Sequence, residues 1–394
     1  MHPPSDDPPS RLFVAGWALL AGLVMFALGV FHNGFPCEYH PDEPAKVAQL
    51  LAGTRDYHHP PLMLTLADAA ARAAGVPWQA EPLARVGRTL SAAYLAGAVA
   101  LLTVLAAIYG GTRGAVVTAA AALAVNAQAV LAAHFFKEDA LFVLALALTF
   151  VAGAIHWRRR SGPSALALGA AAGLAVSSKY VGALAVVYAL ALVALAAKAK
   201  RRDRKTEPGG GAAGSRSPSL PAFCILYSAF CISGLLLVVA LCNGAALWAH
   251  FDTIRAGWRL GVSTVAAGNG GVGAQVPHWQ FVGMLFVDTP LPVLLGAAWF
   301  WADLRRFPFR AHADRWLAGL SPLWLTLVFS FSASTAVRYF LPVSLGLGCI
   351  AGVALPGAVR RVAARWGTLR TTPAAAVAAG LILLFSLPET VSLT

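Results

Sequence analysis

The sequence predicts an all-α protein that crosses a membrane many times. Of its 394 residues 58% are hydrophobic and 12% charged, about half the charge of an ordinary soluble domain. Mean hydropathy is +0.67. Apolar runs recur along the chain, most of them long enough to cross a hydrocarbon core of about 30 Å as helices. Abundant Gly and Ala suit close helix packing in lipid, where small side chains let backbones approach.

Eleven spans follow from these runs: 12–32, 87–108, 115–133, 140–157, 164–178, 181–197, 221–248, 280–301, 316–333, 338–356 and 372–388. The first begins after Arg11 and lacks a convincing cleavage site, so it is expected to stay as a signal anchor. The chain reads as one transmembrane domain over 1–394, with no soluble C-terminal domain. The five cysteines, Cys37, Cys224, Cys231, Cys242 and Cys349, contain no Cys-x-x-Cys pair, which argues against a thiolate zinc site or disulfide framework.

Orientation follows from the basic residues. With the N-terminus in the cytoplasm, the inner connections are 109–114, 158–163, 198–220, 302–315 and 357–371. Together with the N-terminal segment they hold 20 of the 30 Lys+Arg but 6 of the 17 Asp+Glu. Such an excess marks the cytoplasmic side. It accounts for the net charge of +13, and no nucleic-acid partner is needed. The stretch 198–220 reads as a basic, Gly/Ser/Pro-rich cytoplasmic linker. It either touches anionic lipid head groups or serves only to set orientation.

Two outward loops are too long for turns. The first, 33–86, holds Tyr39-His40-Pro41-Asp42-Glu43-Pro44, then Lys46, then Tyr57-His58-His59-Pro60-Pro61. Pro44 fits the start of a helix capped by Glu43, with Val47, Leu50 and Leu51 as its apolar stripe before Gly53. A second short helix is expected after Pro60-Pro61. Leu62, Leu66, Ala70 and Ala73 form its apolar face, and Asp68 pairs with Arg72 at i,i+4. Both are expected to lie in the membrane interface. The second loop, 249–279, carries His250, Asp252, Trp258, the run Gly268-Asn269-Gly270-Gly271 and His278-Trp279. It is either a mobile cover over a substrate or a plain connector.

The outward side also displays Lys137-Glu138-Asp139, Lys179 and Arg338-Tyr339. Charged groups at span ends are costly unless solvated or paired, and often line a functional cavity. Asp42 and Glu43 at a helix start suit a general base or a cation ligand, against the simpler reading of capping. His58 and His59 either bind metal or phosphate, or are interfacial polar residues. Lys137 and Asp139 form either a local ion pair or part of a site. Arg338 offers a planar fork for phosphate, with snorkelling as the alternative. His250, Asp252 and His278 are weaker candidates.

In their order, these features resemble the GT-C superfamily of polytopic glycosyltransferases, notably the dolichyl-phosphate-mannose–protein mannosyltransferase-like and aminoarabinose-transferase-like members. The residues that carry the resemblance are His40-Pro41-Asp42-Glu43, the element 57–62, Lys137-x-Asp139, Lys179 and Arg338-Tyr339-Phe340-Leu341-Pro342. The resemblance implies a GT-C-type bundle and inverting transfer of a monosaccharide from a polyprenyl-phosphate donor to an extracytoplasmic glycan, lipid or protein acceptor. Asp42 would be the base and Glu43 its support or the ligand of a divalent cation, with His58 and His278 as further metal candidates. His40, His58, His59, Lys137, Asp139, Lys179, Arg338 and Tyr339 would bind substrate. It further implies a multi-pass protein of the cell inner (plasma) membrane with its active site outside the cytoplasm. Two departures stand out. His58-His59 replaces the Glu-Lys that precedes Pro-Pro in aminoarabinose transferases, and the C-terminal domain of many relatives is expected to have no counterpart here. The rival reading is a transporter or lipid-linked sugar flippase, which would place ionisable groups near mid-membrane.

Overall fold

The computed structural model describes residues 8–57, 59–206, 220–256, 259, 280–330, 340–365 and 373–392. The secondary structure over these residues is helical. The elements are α1 (Arg11–Val30), α2 (Glu43–Ala52), α3 (Leu62–Ala73), α4 (Ala80–Gly110), α5 (Arg113–Ala124), α6 (Ala127–Ala133), α7 (Glu138–Arg159) and α8 (Gly162–Ser178). After these come α9 (Ala183–Thr206), α10 (Leu220–Ala249), α11 (Gln280–Val287), α12 (Leu291–Leu304), α13 (Ala313–Gly319), α14 (Ser321–Ser330), α15 (Leu341–Arg365) and α16 (Pro373–Ser392).

Among the described residues six helices are long and apolar enough to cross a membrane, or seven if α5 and α6, bent by 49°, form one span. The predicted spans 280–301 and 316–333 are each broken. The first stops at Val287 and restarts after Pro290, whose ring removes an N–H from the ladder. The second breaks at Leu320, where α14 starts afresh with Pro322 in its first turn. Large apolar side chains such as Leu12, Leu19 and Leu23 on α1, and Leu236, Leu237 and Leu241 on α10, face outward, as lipid-facing residues must.

The core is built largely from Ala, Leu, Val and Phe at the crossings of α4, α5, α7 and α15. A close crossing joins α8 to α10. A Cβ on Gly169 would lie 1.8 Å from the Cys231 carbonyl oxygen, and one on Gly173 would lie 2.7 Å from that of Leu235. The Gly-x-x-x-Gly spacing therefore allows backbone-to-backbone contact and seats α8, the shortest predicted span, inside the bundle.

The loop helices differ in detail from expectation. In α2 Val47 and Leu50 are buried but Leu51 is exposed. Gly53 ends the helix in the left-handed region (φ 65°), with Gly53 and Thr54 N–H donating back to Leu50 and Gln49. In α3 the buried stripe is Met63, Leu64, Ala67 and Ala71 with Leu62, one position round from the predicted face. The Asp68–Arg72 pair forms at 2.8 Å. Together α2, α3 and the start of α4 close a second core containing Val47, Leu50, Met63, Leu83 and Phe136. The first loop is thus packed onto the bundle.

Candidate active site

The site is assembled where α2 meets the first turn of α7 and the last of α8. Arg88 organises it from below. Its side chain is fully buried on α4, and its guanidinium donates to both oxygens of Glu43, including one contact of 2.5 Å. The same group donates to the carbonyls of Asn33 (2.9 Å), Phe35 (2.7 Å) and Pro36 (3.3 Å) and lies over the Phe35 ring. Every N–H of an arginine fork is thereby used, as a buried guanidinium requires. Glu43 also accepts the Phe136 N–H at 2.7 Å. Phe136 packs against Gly87, where a Cβ would fall 2.1 Å from its ring.

Glu43 therefore does not cap α2, because Arg88 and Phe136 hold its carboxylate. Asp42 is the N-cap residue and makes no side-chain capping bond. Its N–H donates to His40 Nδ1 at 3.2 Å, and the His40 ring packs on Phe135.

Three consecutive residues then pair in three directions, since side chains entering a helix turn by about 100° per residue. Lys137 meets Asp42 at 2.9 Å, Glu138 meets Lys46, and Asp139 meets Lys179 at 2.6 Å. The local Lys137–Asp139 pair considered from sequence is replaced by these longer-range partners. Lys46, Lys137, Glu138, Asp139 and Lys179 are all buried, and His59 lies within electrostatic reach of Glu138. Asp42 differs. Its side chain is 41% exposed while that of Lys137 is 8% exposed. A carboxylate paired with an ammonium yet 41% exposed can accept a proton from an incoming hydroxyl.

A wall forms beyond Lys179. Tyr180 donates its hydroxyl to the Tyr57 carbonyl at 3.0 Å, and Tyr57 packs on His250 with ring centroids 5.1 Å apart. Tyr57 has φ 55°, a conformation unusual for a bulky residue and held here by its neighbours. His250 thus joins this wall. His58, His278, Arg338, Tyr339 and Trp258 lie outside the described residues.

The expected divalent cation does not fit Glu43. Both its oxygens are engaged, and the adjacent guanidinium would repel a metal ion. Among the described residues, one group brings three ligand atoms within 4.8 Å: Cys37, Glu38 and Glu81. Glu81 already accepts the Cys37 N–H at 2.9 Å.

Residues 71–213 match the family model described as dolichyl-phosphate-mannose-protein mannosyltransferase. The structure resembles ArnT from Cupriavidus metallidurans bound to undecaprenyl phosphate, with a TM-score of 0.64 and 16% identity over 97% of this chain and 75% of that one. It also resembles the apo oligosaccharyltransferase of Archaeoglobus fulgidus, with a TM-score of 0.58 and 13% identity over 98% of this chain and 56% of that one. This is the GT-C fold. No curated protein sequence matches the chain.

Within the GT-C bundle the predicted cluster of Asp42, Glu43, Lys137, Asp139 and Lys179 comes together at one end. One contributor and one pairing escaped the sequence reading. Arg88 fell inside the predicted span 87–108, and an ionisable residue within a span is itself a signal. Lys46 was visible beside Asp42, but its partner Glu138 lies 92 residues away.

Proposed function

We propose that this GT-C protein is an inverting, integral-membrane glycosyltransferase that uses a monosaccharide carried on a polyprenyl phosphate. The observation that carries this reading is the contrast between Asp42 and its neighbours. Glu43, Glu138 and Asp139 are buried and paired, whereas Asp42 is paired with Lys137 and 41% exposed.

Asp42 takes the proton of an acceptor hydroxyl as its oxygen forms a bond to the anomeric carbon. The bond from that carbon to the phosphate oxygen breaks on the opposite face, and polyprenyl phosphate leaves. Negative charge develops on the leaving phosphate. Lys137 and Lys179, with Arg338, are the cations assigned to meet it, the usual device for such a transition state. Asp139 holds Lys179 at 2.6 Å. His40 orients Asp42 through its N–H. Glu43 is a positioning residue, acting through Arg88 and the Phe136 backbone. His58-His59 and Tyr339 are assigned to sugar recognition, and the acceptor is an extracytoplasmic glycan, lipid or protein. The undecaprenyl phosphate bound by the Cupriavidus protein supports a lipid donor. The basic inner connections support an N-terminus in the cytoplasm and a site on the outer face of the plasma membrane.

The test is sugar release from polyprenyl-phosphate donors by the purified protein and by Asp42→Asn. A loss of about 10²- to 10⁴-fold is expected from removing a general base. Equal turnover by the two removes Asp42 from this role. Lipid scrambling without sugar transfer identifies a flippase instead.

A further inference from the structure

A second polar feature lies at the far end of the bundle and takes no part in the transfer described above. α7 runs from Glu138 at the acid–base cluster to Trp157 near its other end, about 30 Å away at 1.5 Å per residue. There a pocket of about 130 Å³ opens between α7, α9 and the turn before α13, with Trp157, Lys198, Arg202, Phe309 and Arg310 among its lining. Among the described residues that line it, three are cationic and none is acidic.

The pocket is held in shape from beneath. The Trp157 indole N–H donates to the Ala311 carbonyl at 3.0 Å, tying the 308–312 turn that carries Phe309 and Arg310 to α7. Leu195, Ala199 and Ala313 complete an apolar floor. Cations collected in one concavity repel one another, and an anion entering it lowers that repulsion. Guanidinium and ammonium groups together suit a phosphate oxygen cluster. α7 and α9 both contain spans apolar enough to cross a bilayer, so the pocket sits at their membrane exit, beside acyl chains. Basic pockets between helices at this level are suited to lipid head groups.

We propose that this pocket binds the phosphate head group of an anionic phospholipid, held by Lys198, Arg202 and Arg310, with Phe309 and Leu195 against its glycerol and upper acyl chains. This site is separate from the donor site and would anchor the α9 end of the bundle to its annular lipid.

The test uses native mass spectrometry of the full chain in micelles titrated with phosphatidylglycerol or phosphatidylcholine. The wild type should retain phosphatidylglycerol preferentially. Lys198→Gln/Arg310→Gln should lower that retention on the order of tenfold, as expected for two basic contacts near a membrane surface. Arg305→Gln/Arg365→Gln, an equal charge change at the same end but outside the pocket, should leave it unchanged. Should the pocket double variant not elute as the wild type does, Arg310→Gln alone carries the comparison. Equal losses in the two doubles, or equal retention of the two lipids by the wild type, would overturn the proposal. So would retention of inorganic phosphate with no selective lipid retention, which would assign the pocket to a soluble anion.

Discussion

Arg88 joins Glu43 to the backbone of residues 33–36 through one fully buried guanidinium. The segment leading to Asp42 is thereby fixed at both ends, from residues 33–36 after α1 to the first turn of α2. Asp42 is positioned by a residue it does not touch. Cutting a buried pair on one side leaves an uncompensated charge, which costs about 3–5 kcal/mol. Arg88→Gln should therefore destabilise the protein by that order and release the loop. Cys37 reports the release directly, because it is buried and its thiol is pushed up by burial and by the carboxylates of Glu38 and Glu81. Peptide-resolved alkylation at neutral pH should leave Cys37 unmodified in the wild type and modify it in Arg88→Gln. An unreactive Cys37 in the variant would show that Arg88 does not hold this loop.

The pairing of Lys46 with Glu138 ties α2 to α7 with both side chains 8% exposed. Lys46→Met and Glu138→Gln should each weaken sugar transfer and thermal stability, while Lys46→Glu/Glu138→Lys should recover part of both. A coupling energy in the range of about 0.5–3 kcal/mol is expected of residues in direct contact. Additive losses in the cycle would mean that the two side chains act independently.

The features readable in the sequence and those hidden from it divide along physical lines. Asp42, Lys137, Asp139 and Lys179 stood out because charge is scarce in an apolar chain, and the all-α bundle followed from run length alone. Which acid meets which base was hidden. Lys46 and Glu138 have no sequence relationship, and the neighbouring Lys137 and Asp139 turn away from each other to Asp42 and Lys179. Arg88 was concealed by the apolar run around it. The breaks at Pro290 and Leu320 were concealed by hydropathy that continues across them, although Pro290 and Pro322 marked both places.

Gly87 permits the Phe136 ring to lie against α4, and the Phe136 N–H in turn holds Glu43. A methyl group there must displace a fully buried ring or the helix beneath it. Gly87→Ala should cost about 1–3 kcal/mol, the range for overpacking a core, and reduce sugar transfer by shifting residues 136–139. Gly16→Ala is the control, since nothing lies within 4 Å of a Cβ at that position. Equal stability of the two variants would place Phe136 elsewhere.

Asp314, in the first turn of α13 at the far end of the bundle, gives a pH-dependent prediction. Burial raises its carboxyl from 3.8 to about 6, against the opposing pull of backbone N–H bonds, Arg158 and Arg315. Between these values the folded chain binds the proton that the unfolded chain has released. Stability from this group is therefore greatest in acid, falls as pH rises through this window, and is level above it. Asn at this position stays neutral throughout. The stability difference between Asp314→Asn and the wild type should grow in favour of the variant from pH 4 to pH 6.5, by up to about 3 kcal/mol for a shift of this size. Thermal unfolding in detergent across that range measures it. A difference that stays constant with pH would mean that Asp314 ionises in the folded protein as it does in the unfolded chain.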